Sequence, residues 1–291
     1  MRVIGYRSQR TLAAPAELSG VGFITGARVR VRFLPAPANT GIVFRRVDLP
    51  RSPAVVARVS EVTNTNRRTT LGPATTGITL SEHVLAALSG LRIDNCILEL
   101  DGLEPPGLDG SAGHFCDVLL NAGVVVQPAR RPIRAVEKPI VVASGDSTIA
   151  LHPADGPHLR ATYILDYGHG ATVPRQTYTL EATPENFARE VARCRTFCTE
   201  SEAKAIRAIG LVPHLNYADT LVFGPRGPIE NKLRFADEPA RHKVLDVLGD
   251  LALCGFDLAG HVVAYRSGHT LNAQLARRLV AESETNRAEA A

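Results

Sequence analysis

Four things are missing from this sequence, and each absence closes off a class of function. No run of roughly 18 or more apolar residues occurs, so no membrane-spanning helix is expected. No long Lys/Arg block interleaves with aromatics. The basic residues are scattered, in pairs such as Arg45-Arg46 and Arg67-Arg68, so a nucleic-acid surface is not indicated. No CxxC pair is present, and five cysteines are an odd number, which argues against a disulfide framework and fits a reducing compartment. The first eight residues lack the apolar core of a signal peptide. These absences predict a cytoplasmic protein with no stable membrane anchor.

What remains is an ordinary globular composition: 291 residues, 45% hydrophobic and 21% charged, with a formal charge of +4. That is enough chain for two domains and enough apolar side chain for real cores. The mild positive balance suits a small substrate that bears phosphate.

Residues 1–50 read as strands with turns, from the alternation in Arg28-Val-Arg-Val-Arg-Phe-Leu34 and a Gly-rich bend over residues 19–26. Residues 54–72 read as a short hairpin. A helix follows Ser81, which can cap it, then a strand over 95–100 and a second helix from Ser111 to about Gly123. Residues 128–139, with three prolines and no apolar period, read as a linker. Strands then occupy about 140–181, followed by a helix after Thr183-Pro184, a strand over 261–265 and a helix from about Leu271 to Val280. The expected fold class is α/β of the α+β type, with two layered sandwich domains at 1–127 and 140–281. The site is expected between them, and residues 282–291 are expected to form a flexible tail.

The stretch from Arg234 to Gly255 organises the whole. Pro239 suits a first helical turn and Gly255 suits a stop, while Val244, Leu245, Val247, Leu248 and Leu251 describe a buried face. His242, Asp246 and Asp250 recur every fourth residue and so share one side of that helix. Carboxylates beside an apolar face are costly unless neutralised, and a divalent metal would neutralise them. A second cluster, Glu82-His83, opens the helix after Ser81. His83, His242 and Asp246 then make three ligands with a fourth position open, as in catalytic zinc sites. Glu82 points beside the metal as a general base, and Asp250 is placed to orient a histidine.

Other candidates keep two readings. His269, in a loop after a strand, is a proton donor or an inert loop histidine. Thr196 is an oxyanion donor or a helix cap. Lys243 contacts a substrate oxygen or is solvated. Cys194 and Cys198, one helical turn apart, read as plain thiols rather than as a metal pair.

Together these stretches closely resemble the zinc-dependent UDP-3-O-acyl-N-acetylglucosamine deacetylases of lipid A biosynthesis. The resemblance runs through nearly the whole chain. It is carried by Gln9-Arg-Thr-Leu12, Pro35-Ala-Pro-Ala-Asn-Thr-Gly-Ile42, Phe44-Arg-Arg-Val-Asp48, Ser81-Glu-His83, Asp94-Asn95 and Asp109-Gly-Ser-Ala112. It continues through Arg195-Thr-Phe197, Leu233-Arg-Phe235, Arg241-His-Lys-Val-Leu-Asp246, Gly249-Asp-Leu251 and Ser267-Gly-His-Thr-Leu-Asn272.

The resemblance implies two sandwich domains with the active site between them. It implies zinc on His83, His242 and Asp246, with iron(II) as the competitor in the cell, and Glu82 as general base. His269 becomes the general acid or electrostatic partner held by Asp250, Thr196 an oxyanion donor, and Lys243 a substrate contact. Phe197 is placed at the mouth of an acyl passage built by an insert at about 197–222, and Tyr167 against the uracil. The implied reaction is hydrolysis of the N-acetyl group of a UDP-linked, 3-O-acylated glucosamine by a monomer.

The sequence departs from the family pattern at Ile24, where a histidine is usual, at Cys198, where glycine is usual, and over residues 212–218. The departures near the insert bear on acyl length. They leave two alternatives, a deacetylase of another N-acetylated nucleotide sugar or a noncatalytic relative that binds the sugar or the acyl chain.

Overall fold

The computed structural model describes residues 1–208, 212, 217 and 220–288, the last three as backbone alone. The first half builds a five-stranded sheet in the order Ala16–Val21, Arg28–Pro35, Cys96–Leu100, Ile42–Arg46, Val55–Val56. Alternation decides its faces: Val29, Val31 and Phe33 are buried while the intervening arginines stay outside. Helices α1 (Glu82–Gly90) and α2 (Gly113–Asn121) share its core, and Phe33 meets Phe115 of α2 edge-on at 6.3 Å between centroids.

A seven-stranded sheet carries the second half. Its path runs Arg2–Leu12, Val124–Ala135, Asp257–Tyr265, Ser147–His152, Ile140–Ser144. Leu159–Leu165 lies parallel to Asp257–Tyr265 and pairs onward with Gln176–Glu181. The chain's first strand therefore lies in the sheet that also holds its last.

After α3 (Glu200–Ala208), helix α4 (Glu238–Leu251) runs through the middle of the molecule. Its apolar stripe of Val244, Leu245, Val247, Leu248 and Leu251 is buried as the spacing predicts. Its polar side is buried too, because α1 crosses it. The crossing needs glycine: a Cβ at Gly249 would stand 2.2 Å from the carbonyl oxygen of Glu82. A 3₁₀ turn, Ala252–Cys254, extends α4 until Gly255 ends it at a left-handed φ of 76°. Helix α5 (His269–Ala288) closes the layer and packs on Ile140–Ser144 and Ser147–His152. Among the described residues no helix is long and apolar enough to cross a membrane.

Four expectations need correction. Residues 128–135, expected as part of a linker, belong to the strand Val124–Ala135, antiparallel to Arg2–Leu12. The prolines are tolerated because Pro128 falls in a bulge of that ladder. Pro132 pairs on one side only, since the strand Asp257–Tyr265 joins from Ile133 onward. Ser81 does not cap α1; its hydroxyl donates instead to the Thr69 carbonyl. The C-terminal helix begins at His269 rather than near Leu271. It also continues past Val280 to Ala288, because Ser283 is buried and the N-terminal ammonium donates to the Glu282 carbonyl. Finally, the insert contains α3, which nothing in the sequence reading anticipated. Residues 209–211, 213–216, 218–219 and 289–291, which belong to the insert and tail expectations, lie outside the described residues.

Candidate active site

The crossing of α1 over α4 brings the two clusters together. His83 on α1, and His242 and Asp246 on α4, place one ligand atom each so that all three lie within 4.8 Å of one another. The Asp246 Oδ1 atom is 3.4 Å from His242 Nε2 and 3.6 Å from His83 Nε2, and the two imidazoles stand edge to face.

These donors fit a divalent cation. His242 Nδ1 sits 2.9 Å from the Cys194 carbonyl, which accepts its proton and leaves Nε2 as a lone pair. Burial keeps that ring neutral, pushing its pKa down to about 4. The other Asp246 oxygen, Oδ2, accepts from the Lys243 ammonium at 2.6 Å. Burial raises the Asp246 carboxyl, but the Lys243 ammonium outweighs it and holds the group well below the usual range. Oδ1 is fully buried and has no hydrogen-bond partner among the described residues. A buried anionic oxygen without a hydrogen-bond partner, facing two imidazole nitrogens, suits a positive charge in the gap.

A second carboxylate–histidine pair adjoins this centre. Glu82 is 2% exposed, its Oε2 accepts from the Thr69 backbone N–H at 3.0 Å, and burial raises its pKa. Its Oε1 lies 3.8 Å from His269 Nε2. His269 Nδ1 meets Asp250 Oδ2 at 2.8 Å. Burial opposes the charged ring, yet the carboxylates of Asp250 and Glu82 carry its pKa up to about 9. His269 is thus no free loop residue: it opens α5, is 8% exposed, and is held by an aspartate that is wholly buried. Asp250 has no exposed surface, and Lys243, read above as a substrate contact or a solvated lysine, is mostly buried and paired with Asp246.

A cleft of about 830 Å³ lies over both clusters. Glu82, His83, His242, Lys243, Asp246 and His269 line it, as do Thr196, Phe197 and Tyr167. Asp250 does not; it stands behind His269. Phe197 touches Tyr167, Phe223 and the His242 ring edge-on, each at 6.2–6.3 Å between centroids, and Tyr167 is half exposed at the rim. Ile24 and Cys198, two of the departures, are in the wall, together with Phe23, Ile206 and Val212.

A buried ion pair fixes the segment that bears Thr196 and leads into Phe197. Arg195 donates to Glu238 at 2.9 Å through Nε, and the backbone N–H groups of Arg195 and Arg234 donate to the same carboxylate. Three contributors escaped the sequence reading. Thr69 sits in a polar loop that gives no periodic signal, and Cys194 acts through its carbonyl. Asn272, whose amide donates to Asp250 at 2.8 Å, is one helical turn from His269, a spacing hidden once the helix was expected to start at Leu271.

Comparison with known proteins places this architecture. The family model for UDP-3-O-acyl N-acetylglycosamine deacetylase matches residues 9–281. A Nostoc protein named UDP-3-O-acyl-N-acetylglucosamine deacetylase is 39% identical over 280 residues, spanning 94% of this chain and 99% of its own. Proteins of the same name are 38% identical in Myxococcus xanthus, over 97% of this chain and 89% of theirs, and 40% identical in Thermosynechococcus vestitus, over 94% of both. The chain belongs to the UDP-3-O-acyl N-acetylglycosamine deacetylase family.

Proposed function

We propose that this family member hydrolyses the N-acetyl group of UDP-3-O-(3-hydroxyacyl)-N-acetylglucosamine to the free amine and acetate, an early step of lipid A biosynthesis. It acts as a cytoplasmic monomer. The observation that carries the reading is the unpartnered, buried Asp246 Oδ1 between two imidazoles, beside a separate carboxylate–histidine pair in the same cleft. His83, His242 and Asp246 hold the metal, and their N/O donor set suits zinc, with iron(II) as competitor. When bound, the metal supplies Lewis acidity to the amide carbonyl and brings the pKa of water toward neutrality.

The remaining steps belong to the chain's own side chains. Glu82, with Oε2 occupied by the Thr69 N–H, keeps Oε1 free to take the proton of the attacking water. Its burial raises its proton affinity toward what a base working near neutral pH needs. The Thr196 hydroxyl donates to the oxyanion as the carbonyl becomes tetrahedral. His269, protonated and braced by Asp250, stabilises that charge and gives a proton to the departing amine, a role it shares with Glu82. Lys243 holds Asp246 Oδ2, which leaves Oδ1 for the metal, and presents its ammonium to a substrate oxygen. Phe197 guards the acyl passage and Tyr167 stacks on the uracil at the rim.

The test is acetate release from the acylated substrate and from UDP-N-acetylglucosamine, with metal-stripped and zinc-reconstituted protein. Zinc-restored turnover of the acylated substrate alone is expected. Turnover that ignores metal removal, or that favours the unacylated sugar, would overturn the reading.

A further inference from the structure

We propose that Thr69 is a positioning residue whose hydroxyl locks Asp250, and through it the ring of His269, in the orientation that faces Glu82. The inference rests on the functional reading above and deepens it. Thr69 has no exposed surface and no part in the wall of the cleft, so it acts only through other groups. Its own placement is fixed on three sides. Its N–H donates to Glu82 Oε2 at 3.0 Å, and its carbonyl accepts from the Ser81 N–H at 3.2 Å and the Ser81 hydroxyl at 3.1 Å. Its hydroxyl donates to Asp250 Oδ1 at 2.6 Å. One residue of the first half thus ties the carboxylate on α1 to the acid on α4.

The division of labour on Asp250 is what gives that hydroxyl its consequence. Oδ1 is taken by Thr69, while Oδ2 receives both His269 Nδ1 and the Asn272 amide, each at 2.8 Å. Asn272 is held in turn by the Ser267 hydroxyl at 2.7 Å, and the Ser267 carbonyl accepts from Tyr163 of the sheet. With both oxygens assigned, the carboxylate has one orientation, and His269 Nδ1 meets its Oδ2 at 2.8 Å with the Thr69 hydroxyl as a longer contact at 3.4 Å. The Nε2 atom then points at Glu82 Oε1, 3.8 Å away. Without the hydroxyl, Oδ1 becomes a buried acceptor with no donor, and the carboxylate turns to share the ring and amide protons.

The experiment compares Thr69→Val, which keeps the shape and the N–H but loses the hydroxyl, with Thr69→Ser, which keeps the hydroxyl. Steady-state kinetics of the metal-loaded enzyme are read beside the proton resonance of His269 Nδ1–H in protein carrying ¹⁵N-histidine. Thr69→Val is expected to lose about 10–100-fold in kcat, the usual scale for residues that orient a catalytic group, with KM unchanged and the resonance shifted. Thr69→Ser is expected to keep the kcat and the resonance of the unaltered enzyme. Should Thr69→Val fail to fold, Thr69→Ala takes its place under the same criteria.

The proposal is overturned if kcat survives loss of the hydroxyl, if KM rises instead, or if serine fails as badly as valine. It is also overturned if the resonance does not move. An unaltered enzyme with no deacetylase activity defeats the functional reading, and the resonance still reports whether Thr69 orients His269.

Discussion

The Asp94–Asp257 cluster and the Asp246 cluster both withdraw carboxylates from water, and they solve the same problem in opposite ways. Near the seam of the strands Arg2–Leu12 and Val124–Ala135, Asp94 and Asp257 are enclosed by Arg7 and Arg131. Each of their four oxygens has a guanidinium donor: Arg7 is bidentate to Asp94 at 2.7 Å and also reaches Asp257, and Arg131 reaches Asp257 at 2.6 Å. At the crossing of α1 and α4, Asp246 has one oxygen on Lys243 and one with no donor. The first cluster is saturated and holds segments together. The second is left incomplete, and incompleteness in a buried anion is what marks it as a place for a cation.

The comparison is broken most forcefully from the side of the site. Glu82→Gln removes the proposed proton acceptor but leaves the three proposed metal donors, so kcat is expected to fall by about 10²–10⁴-fold with metal content and melting temperature unchanged. Near-normal turnover would remove Glu82 from the mechanism. Arg7→Ala attacks the saturated cluster and should do the reverse. It leaves Arg131 as the one guanidinium serving both carboxylates and should cost about 1–3 kcal/mol in urea unfolding, while kcat per folded molecule stays the same. A kcat loss there would mean that the two clusters are coupled.

Gly249→Ala tests the joint on which the site depends. Its Cβ would press on the Glu82 carbonyl, so α1 must move away from α4. About 1–3 kcal/mol of stability is expected to go, together with part of kcat. The smallest effect concerns pH. Burial raises Asp257, but Arg7 and Arg131 overcome it and leave its pKa below the ordinary aspartate range. A depressed folded pKa contributes stability that is whole above the unfolded value near about 4 and fades as pH falls through the folded value. Urea midpoints measured from pH 6 down to pH 3 should decline below about pH 4, and Arg7→Ala should flatten that decline.

The two clusters also differ in how much of them the sequence discloses. His242, Asp246 and Asp250 announce themselves because a helix turns a four-residue spacing into a shared face, and Pro239 and Gly255 mark the ends of that helix. Glu82-His83 needed only a second helix start. The saturated cluster joins residues 87 and 250 positions apart through sheet pairing, and no local pattern encodes such a meeting. Thr69 was hidden for a related reason: its partners are on α1 and α4, and its loop has no period. Pro128 and Pro132 read as linker residues because proline's exclusion from strands holds for fully paired positions, and these two escape it through a bulge and an edge.

Residues from both halves of the chain are proposed to hold one divalent metal jointly. Zinc titration of the metal-stripped protein, with bound metal counted per chain, tests it most directly. One tightly held zinc is expected in the unaltered protein, and its loss in His83→Ala and in His242→Ala, two proteins altered in different halves. Tight zinc retained in both variants, or none in the unaltered protein, would contradict it.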